Sequence, residues 1–331
     1  MNETGAMRTW VILNPNAGSV GETAVLEESL GRLPGTSVKL TRKAGDAERL
    51  AREALELGVE RIVAAGGDGT LNEVVNGLSA DFGRACLGLL PMGTGNDFAR
   101  TIGVPNDLEG ALAVLREGRM RAVDVARAQI GDTAGRGRCF LNMSAGGFSG
   151  EVSERASDAK DRWGPLAYMR AAIGALPELK GFLTRITLNG AEILELETYN
   201  LVVSNGRYVA SGIPVAPQAV LDDGLLDVMI APATTIPQLA VLVPTVLLGR
   251  HADSDLLLFR KATRVEIECD PPMAFNVDGE LLGEGTARFD VLPRALRMIV
   301  GPVEEGTFSG QELGGPETAD PARLERETVL D

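Results

Sequence analysis

Apolar residues in the first 130 positions come in two alternating forms: short continuous runs, and longer stretches with a period near 3.6. Thr9–Leu13 is a short apolar run ending at Asn14-Pro15-Asn16-Ala17-Gly18, which predicts a strand followed by a turn. Asp46 to Leu57 sets Leu50, Ala54 and Leu57 on one helical face, with Gly58 placed to stop the helix. Arg61–Ala65 predicts a buried strand that runs straight into Gly66-Gly67-Asp68-Gly69-Thr70. Leu71, Val74, Val75 and Leu78 then recur at i, i+3, i+4 and i+7, the spacing of a helix. Ala85–Leu90 predicts another strand, ending at Pro91-Met92-Gly93-Thr94-Gly95-Asn96-Asp97, and a further helix begins near Asp107. This strand–helix alternation implies a mostly parallel sheet covered on both faces.

Beyond about residue 121 the pattern becomes strand-rich. Arg121–Ile130 and Arg138–Ser144 predict strands around a glycine-rich turn. Ile186 and Leu188 alternate with polar residues ahead of Asn189-Gly190, a strong hairpin signal. Leu201–Ser204, Leu225–Ile230, Val265–Cys269, Phe275–Val277 and Leu296–Val300 continue it, interrupted by helical stretches at Leu166–Leu176 and Ile236–Leu248. The expected second domain is a mostly antiparallel, sandwich-like β body. The division reads as residues 1–125, an α/β domain; 126–301, a β-rich domain; and 302–331, an acidic and disordered tail. The chain's end near 301 is a candidate to return to the first domain.

The 331-residue length suits two domains, and 44% hydrophobic with only 4% aromatic residues predicts aliphatic cores. Formal net charge is −14, of which the tail from residue 302 carries −6, from eight acidic and two basic side chains. That surplus argues against nucleic acid and against a nonspecific pull toward anionic membranes. Arg116, Arg119, Arg121 and Arg127, and likewise Lys160, Arg162 and Arg170, read as solvated faces. Cys86, Cys139 and Cys269 show no metal-ligand spacing and fit a reducing compartment. The N-terminus lacks the apolar core of a signal peptide, and the longest apolar run, Leu239 to Leu248, is too short to span a bilayer. A cytoplasmic chain, with any membrane contact peripheral, is the expectation. Homo-oligomerisation is left open.

Glycines at a strand-to-helix junction let backbone N–H groups approach a phosphate, and the helix presents its positive end to the same anion. Gly66-Gly67-Asp68-Gly69-Thr70 has that placement, and Asp68 adds a carboxylate suited to a phosphate-bound Mg²⁺. Gly93-Thr94-Gly95-Asn96-Asp97 repeats it, with Asn96 and Asp97 open to reading as helix caps. Asn14 and Gly18 form a third loop on the same rim. Neither glycine loop has P-loop or dinucleotide-fingerprint spacing. Asp222-Asp223-Gly224 and Asp278-Gly279-Glu280 read from the residues alone as turns. The single histidine, His251, follows an apolar helix and reads as a cap or a structural group. The segment around Trp163, Leu166, Tyr168, Met169, Ile173 and Leu176 reads as core packing, with an acyl-chain cleft as the alternative.

Gly66 to Glu73 and Pro91 to Arg100 together resemble the diacylglycerol kinase catalytic-domain family, which includes bacterial lipid kinases and the sphingosine and ceramide kinases. Asn14 to Gly18, Thr41, Asp124, Asp222 to Asp227 and Asp278-Gly279-Glu280 extend the resemblance, in order, from about residue 8 to 301. It implies an ATP- and Mg²⁺-dependent kinase acting on a lipid alcohol such as diacylglycerol at a membrane surface. The nucleotide would be held by Asn14, Thr41, Gly66, Gly67, Asp68, Gly69, Thr70, Leu71, Asn72, Glu73, Gly93, Thr94 and Asn96. Glu280 would be the general base, with Asp68 and Asp124 assisting, and a second, structural Mg²⁺ would sit on Asp223 and the Val220 and Leu225 carbonyls. A kinase of a soluble substrate such as NAD and a noncatalytic lipid- or nucleotide-binding regulator are the alternatives.

Overall fold

The computed structural model describes residues 7–17, 30, 35–117, 119–131, 137–148, 174 and 179–309. Strands β1 (Thr9–Leu13), β2 (Thr36–Leu40), β3 (Arg61–Gly66) and β4 (Cys86–Pro91) lie parallel in the order β2-β1-β3-β4. β3 and β4 are buried nearly end to end, which is why each reads as a continuous apolar run. β2 is half-buried at the sheet edge, so its sequence carries no comparable signal. Helix α1 (Asp46–Glu56) buries Leu50, Ala51, Ala54 and Leu55, and Gly58 at φ 69° follows its end. Helix α2 (Asp68–Leu78) buries the predicted Leu71, Val74, Val75 and Leu78, but begins three residues earlier, inside the glycine motif. α3 (Asp97–Thr101) and α4 (Leu108–Glu117) follow β4.

The β-rich half runs from β5 (Met120–Ile130) and β6 (Arg138–Phe140) through β7 (Met143–Gly147), β8 (Phe182–Leu188), β9 (Glu192–Ser204) and β10 (Leu226–Pro232). Helix α5 (Ile236–Leu247) then precedes β11 (Leu258–Ala262), β12 (Arg264–Asp270), β13 (Ala274–Val277), β14 (Glu280–Glu284) and β15 (Ala287–Ile299). Asn189 and Gly190, both at positive φ, turn β8 into β9 as the Asn-Gly pair predicts. Period-two alternation divides β9 and β10 between two cores. Leu201, Val203, Val228 and Ile230 face one, where Phe140 and Phe275 meet Phe289 edge-on at 6.2 and 5.9 Å; Val202, Met229 and Ala231 face the other, beneath α5.

β15 joins the two halves. It pairs antiparallel with β5 and β12, shifts register between Leu292 and Leu296, and ends parallel to β4. Along β5, Val123 and Val125 belong to the core of the parallel sheet and Ala126, Ala128 and Ile130 to that of the β body. The strands therefore form one hydrogen-bonded, branched sheet.

The segment expected to be disordered from residue 302 is folded as far as Ser309. Thr307 is buried and its carbonyl accepts Leu221 N at 2.9 Å, while Ser309 Oγ reaches Asp222 Oδ1 at 2.8 Å. These contacts join residues some 85 positions apart, and composition carries no sign of them. His251 is buried beside Phe259, with Nε2 2.7 Å from Val215 O. Gly18, Lys160, Arg162, Arg170, Trp163, Leu166, Tyr168, Met169, Ile173, Leu176 and residues 310–331 lie outside the described residues.

Two glycines of α2 separate packing from helix propensity. A methyl on Gly77 would stand 2.7 Å from Ala51 Cβ and against the Glu48 carbonyl of α1, whereas Gly69 has open space. Alanine gains about 1 kcal/mol over glycine within a helix, and overpacking costs about 1–3 kcal/mol. Gly77→Val should therefore lower the urea-unfolding free energy by about 2 kcal/mol or more, while Gly69→Ala leaves it unchanged or raised by up to about 1 kcal/mol.

Candidate active site

The carboxyl ends of β1, β3 and β4 are tied to their neighbours by backbone hydrogen bonds. Thr41 N donates to Leu13 O, Asn14 N to Ala65 O and Met92 N to Gly66 O, each at 2.9 Å. The loops after β1, β2, β3 and β4 thus open side by side, the crevice where parallel α/β sheets bind ligands. Asn14 Nδ2 reaches Thr70 Oγ1 at 3.2 Å, joining the first loop to the third. The two glycine loops touch backbone to backbone: a Cβ on Gly93 would stand 2.6 Å from Gly67 Cα. A side chain on Gly93 does not fit at that crossing, and one on Gly67 would be tight, 3.2 Å from Gly93 Cα.

Asp68 opens α2 and also caps α3. Its carboxylate accepts Asp97 N at 3.1 Å and Phe98 N at 3.2 Å, compensating orphan donors of α3. Asn96, at φ 49°, holds the second loop closed by accepting Gly93 N at 3.0 Å and donating to Gly93 O at 2.7 Å. Asp97 accepts Ser211 N at 3.1 Å and Gly212 N at 2.7 Å and pairs with Arg100 at 3.2 Å. Burial and the nearby Asp68 charge push Asp97 up to about 6, against the pull of those amides and Arg100.

Asp278 is the link to the β body. Its carboxylate accepts Leu141 N, Asn142 N and Met143 N at 3.0–3.1 Å and Asn72 Nδ2 at 3.0 Å. Burial raises it to about 6 in spite of these donors, and Asp68 adds to the rise. Asp278 and Gly279 sit at φ 45° and 95°, and Asn276 Oδ1 accepts Gly279 N at 2.8 Å. Glu280 therefore leaves a turn that α2 itself holds. Its side chain is 63% exposed and lies 3.7 Å from Arg138, which also binds Glu48 at 2.9 Å.

Asp68, Thr94, Asp97 and Asp278 line one end of a single cavity of about 780 Å³, and Val202, Met229, Leu239, Leu242, Val246 and Leu257 line the other. The cavity has a charged end and an aliphatic end. None of its aliphatic lining residues was singled out from the sequence for this purpose. They come from β9, β10, α5 and the loop before β11, and only the fold gathers them. Asp97 and Asp278 lie within the sequence motifs, but the Ser211–Gly212 loop that binds Asp97 has no sequence signal.

Several expected site residues have their side chains committed elsewhere. Leu71 is core. Glu73 caps α1, accepting Gly45 N at 2.9 Å and Ala47 N at 3.0 Å. Asn72 is buried between Asp278 and Cys139 O, and Thr41 is buried behind its bond to Leu13. Asp124 is fully buried, and its carboxylate accepts Gly224 N at 2.7 Å and Arg294 N at 2.6 Å; burial raises its pKa. It braces the Asp222–Gly224 turn, and neither Asp124 nor Glu280 is among the residues that line the cavity.

The donor set at Asp68 suits Mg²⁺ carried on phosphates, because that ion takes one or two carboxylate oxygens and keeps its other ligands as phosphate or water. At the other expected metal position, Asp223 Oδ1 accepts Leu225 N and Asp223 Oδ2 lies 3.1 Å from Lys261, which also pairs with Asp227 at 3.2 Å. Lysine supplies the positive charge there, and an ion on Asp223, Val220 and Leu225 would have to share the carboxylate with it. Among the described residues no group of three or more His, Cys, Asp or Glu forms a metal cluster.

A carboxylate whose folded pKa lies above its unfolded value near 3.9 favours the folded state fully at low pH, and that contribution is lost as pH rises through about 6. Wild-type protein should therefore lose about 1–3 kcal/mol more unfolding free energy between pH 4 and pH 7 than Asp97→Asn does, as read by urea titrations at both pH values.

Comparison with known proteins agrees with this geometry. The profile described as diacylglycerol kinase catalytic domain matches residues 8–128, and that described as YegS C-terminal NAD kinase beta sandwich-like domain matches residues 142–300. Curated proteins named diacylglycerol kinase from Staphylococcus aureus strains MRSA252 and bovine RF122 / ET3-1 are each 34% identical over 292 residues, 87% of this chain and 90% of theirs. A crystal structure of a diacylglycerol kinase from Bacillus anthracis str. Sterne superposes with a TM-score of 0.69 at 26% identity, covering 91% of this chain and 99% of the other. The chain belongs to the diacylglycerol kinase family of phosphotransferases.

Proposed function

We propose that this protein transfers the γ-phosphate of ATP to the hydroxyl of diacylglycerol or a closely related lipid, giving phosphatidic acid or its analogue. The observation that carries this reading is the single cavity of about 780 Å³ with a carboxylate-lined end beside the glycine loops and an aliphatic end. A soluble acceptor such as a dinucleotide would leave the aliphatic end facing water, at a cost of roughly 25 cal/mol per Å² of apolar surface.

Phosphoryl transfer depends on positioning and charge neutralisation more than on covalent help. The loops at Asn14, Gly66–Thr70, Gly93 and Thr94 offer backbone amides to the triphosphate, and the amino end of α2 favours its negative charge. Asp68 would hold Mg²⁺, and the ion when bound neutralises charge on the transferring phosphate. Glu280 acts as general base toward the lipid hydroxyl; it directly follows Asp278 and Gly279, which line the cavity, while its own side chain lies outside that lining. Arg138, 3.7 Å away, orients it when no acceptor is present. The acyl chains lie between α5 and strands β9 and β10. The enzyme works from the cytoplasmic side at the membrane surface.

Glu280→Gln should lower kcat for labelled phosphate transfer to diacylglycerol in mixed micelles by about 10²–10⁴, with the KM for lipid changed little. Leu242→Trp, which narrows the aliphatic end, should raise the KM for long-chain diacylglycerol about tenfold while sparing a short-chain one. Unchanged turnover in Glu280→Gln would remove it from the role of base.

A further inference from the structure

Helix α5 lies in a 19-residue stretch, 231–249, without a single charged residue. One face closes the cavity: Leu239 and Leu242 are buried, and Val243, Val246 and Leu247 also line it. A surface helix normally carries polar residues on its other face. This one presents Ile236, Val241 and Leu248 at 52%, 68% and 66% exposure, with Ala240 between them. None of these four lines the cavity. At about 100° per residue Ala240, Val241 and the C-cap residue Leu248 fall within about 100° of one another, and Ile236 is exposed in the first turn. A capping box at its start, with Thr235 Oγ1 2.7 Å from Gln238 Oε1, fixes where the helix begins.

We infer that this outer face of α5 docks on the surface of a lipid bilayer and brings the aliphatic end of the cavity against it. The inference rests on the lipid-kinase reading for the use of the cavity, though not for the docking itself. A helix of 12 residues measures about 18 Å, short of the roughly 30 Å hydrocarbon layer, so it can lie in the interface but not cross. No described helix is long and apolar enough to cross a membrane. A second copy of the chain is the weaker occupant. Three partly exposed side chains fall well short of the roughly 20–30 residues and roughly 800 Å² that each partner buries in a stable interface. The stretch carries no cation and the chain carries a net charge of −14, so attachment runs through apolar insertion and not through attraction to anionic headgroups. Continuity decides the orientation: the side chains behind the exposed stripe are the cavity wall, so a lipid leaving the bilayer at α5 meets apolar surface.

The test is co-sedimentation of the full chain with vesicles of phosphatidylcholine alone, without nucleotide. Wild-type protein should pellet with the vesicles, with its partition coefficient changing less than about twofold between about 0.1 and about 0.5 M salt. Val241→Asp and Leu248→Asp should each lower the coefficient about tenfold while melting at the wild-type temperature. Both should lose turnover on vesicle-borne diacylglycerol but keep it on a short-chain, dispersed one. Wild-type protein that stays in the supernatant, or variants that partition as it does, would overturn the inference. So would a dimer in sedimentation equilibrium that Val241→Asp disperses while vesicle binding is unchanged, because the face would then belong to a second copy. Asp68→Asn separates this from the kinase reading: it should partition as wild type, so full turnover in that variant would count against the phosphoryl-transfer assignment alone.

Discussion

Four hydrogen bonds converge on the Asp278 carboxylate, three from the successive amides of residues 141–143 and one from Asn72 of α2. Hydrogen bonds to a charged group contribute about 1.5–3 kcal/mol each, which offsets much of the cost of burying the charge. What they impose is geometric. The helix that grows from the first glycine motif is locked to the turn that presents Glu280, although the two lie more than 200 residues apart in the chain. Only with that lock do Asp68 and Asp278 line one cavity. The same contact explains why a motif that looks like an ordinary hairpin has a fixed position relative to the parallel sheet.

The glycine loops work by a related economy of space. Gly67 and Gly93 pass so closely that a Cβ on Gly93 would clash and one on Gly67 would stand 3.2 Å from Gly93 Cα, and this brings two strand ends to one ligand position. Asp68 then has two duties, capping α3 with both oxygens while facing the cavity. Asp97 lies one residue past Asn96 and ties α3 to the Ser211–Gly212 loop of the β body. Two carboxylates, Asp97 and Asp278, therefore hold the halves together on either side of Asp68, whose charge repels both. Burial and that repulsion raise both of the bracing acids.

Much of the fold was legible because its elements are local. Continuous apolar runs at Arg61–Ala65 and Ala85–Leu90 belong to central parallel strands, buried on both faces, and the Leu71–Leu78 spacing is a helix face. Asn189-Gly190 announces a hairpin through backbone preference alone. The elements that went unread, β2 and β11, are short and largely half-buried, so their side chains meet few constraints. Asp124, Asn72 and Glu73 stood within recognisable motifs, yet their side chains brace loops and helix ends. A motif records that a residue type is needed at a position without recording which atom it serves.

By itself the sequence determined the order of strands and helices, the two glycine turns and the family, because each depends on neighbours within a few positions or on an ordered set of short motifs. The tertiary structure alone decided the cavity and its aliphatic end. Val202, Met229, Leu242 and Leu257 come from separate segments, and each alone is indistinguishable from ordinary core. It also decided that Lys261 balances Asp223 and that α5 keeps an apolar face toward solvent. Such facts depend on which surfaces meet across long loops, and hydrophobic periodicity reports only that a face is apolar, not what covers it.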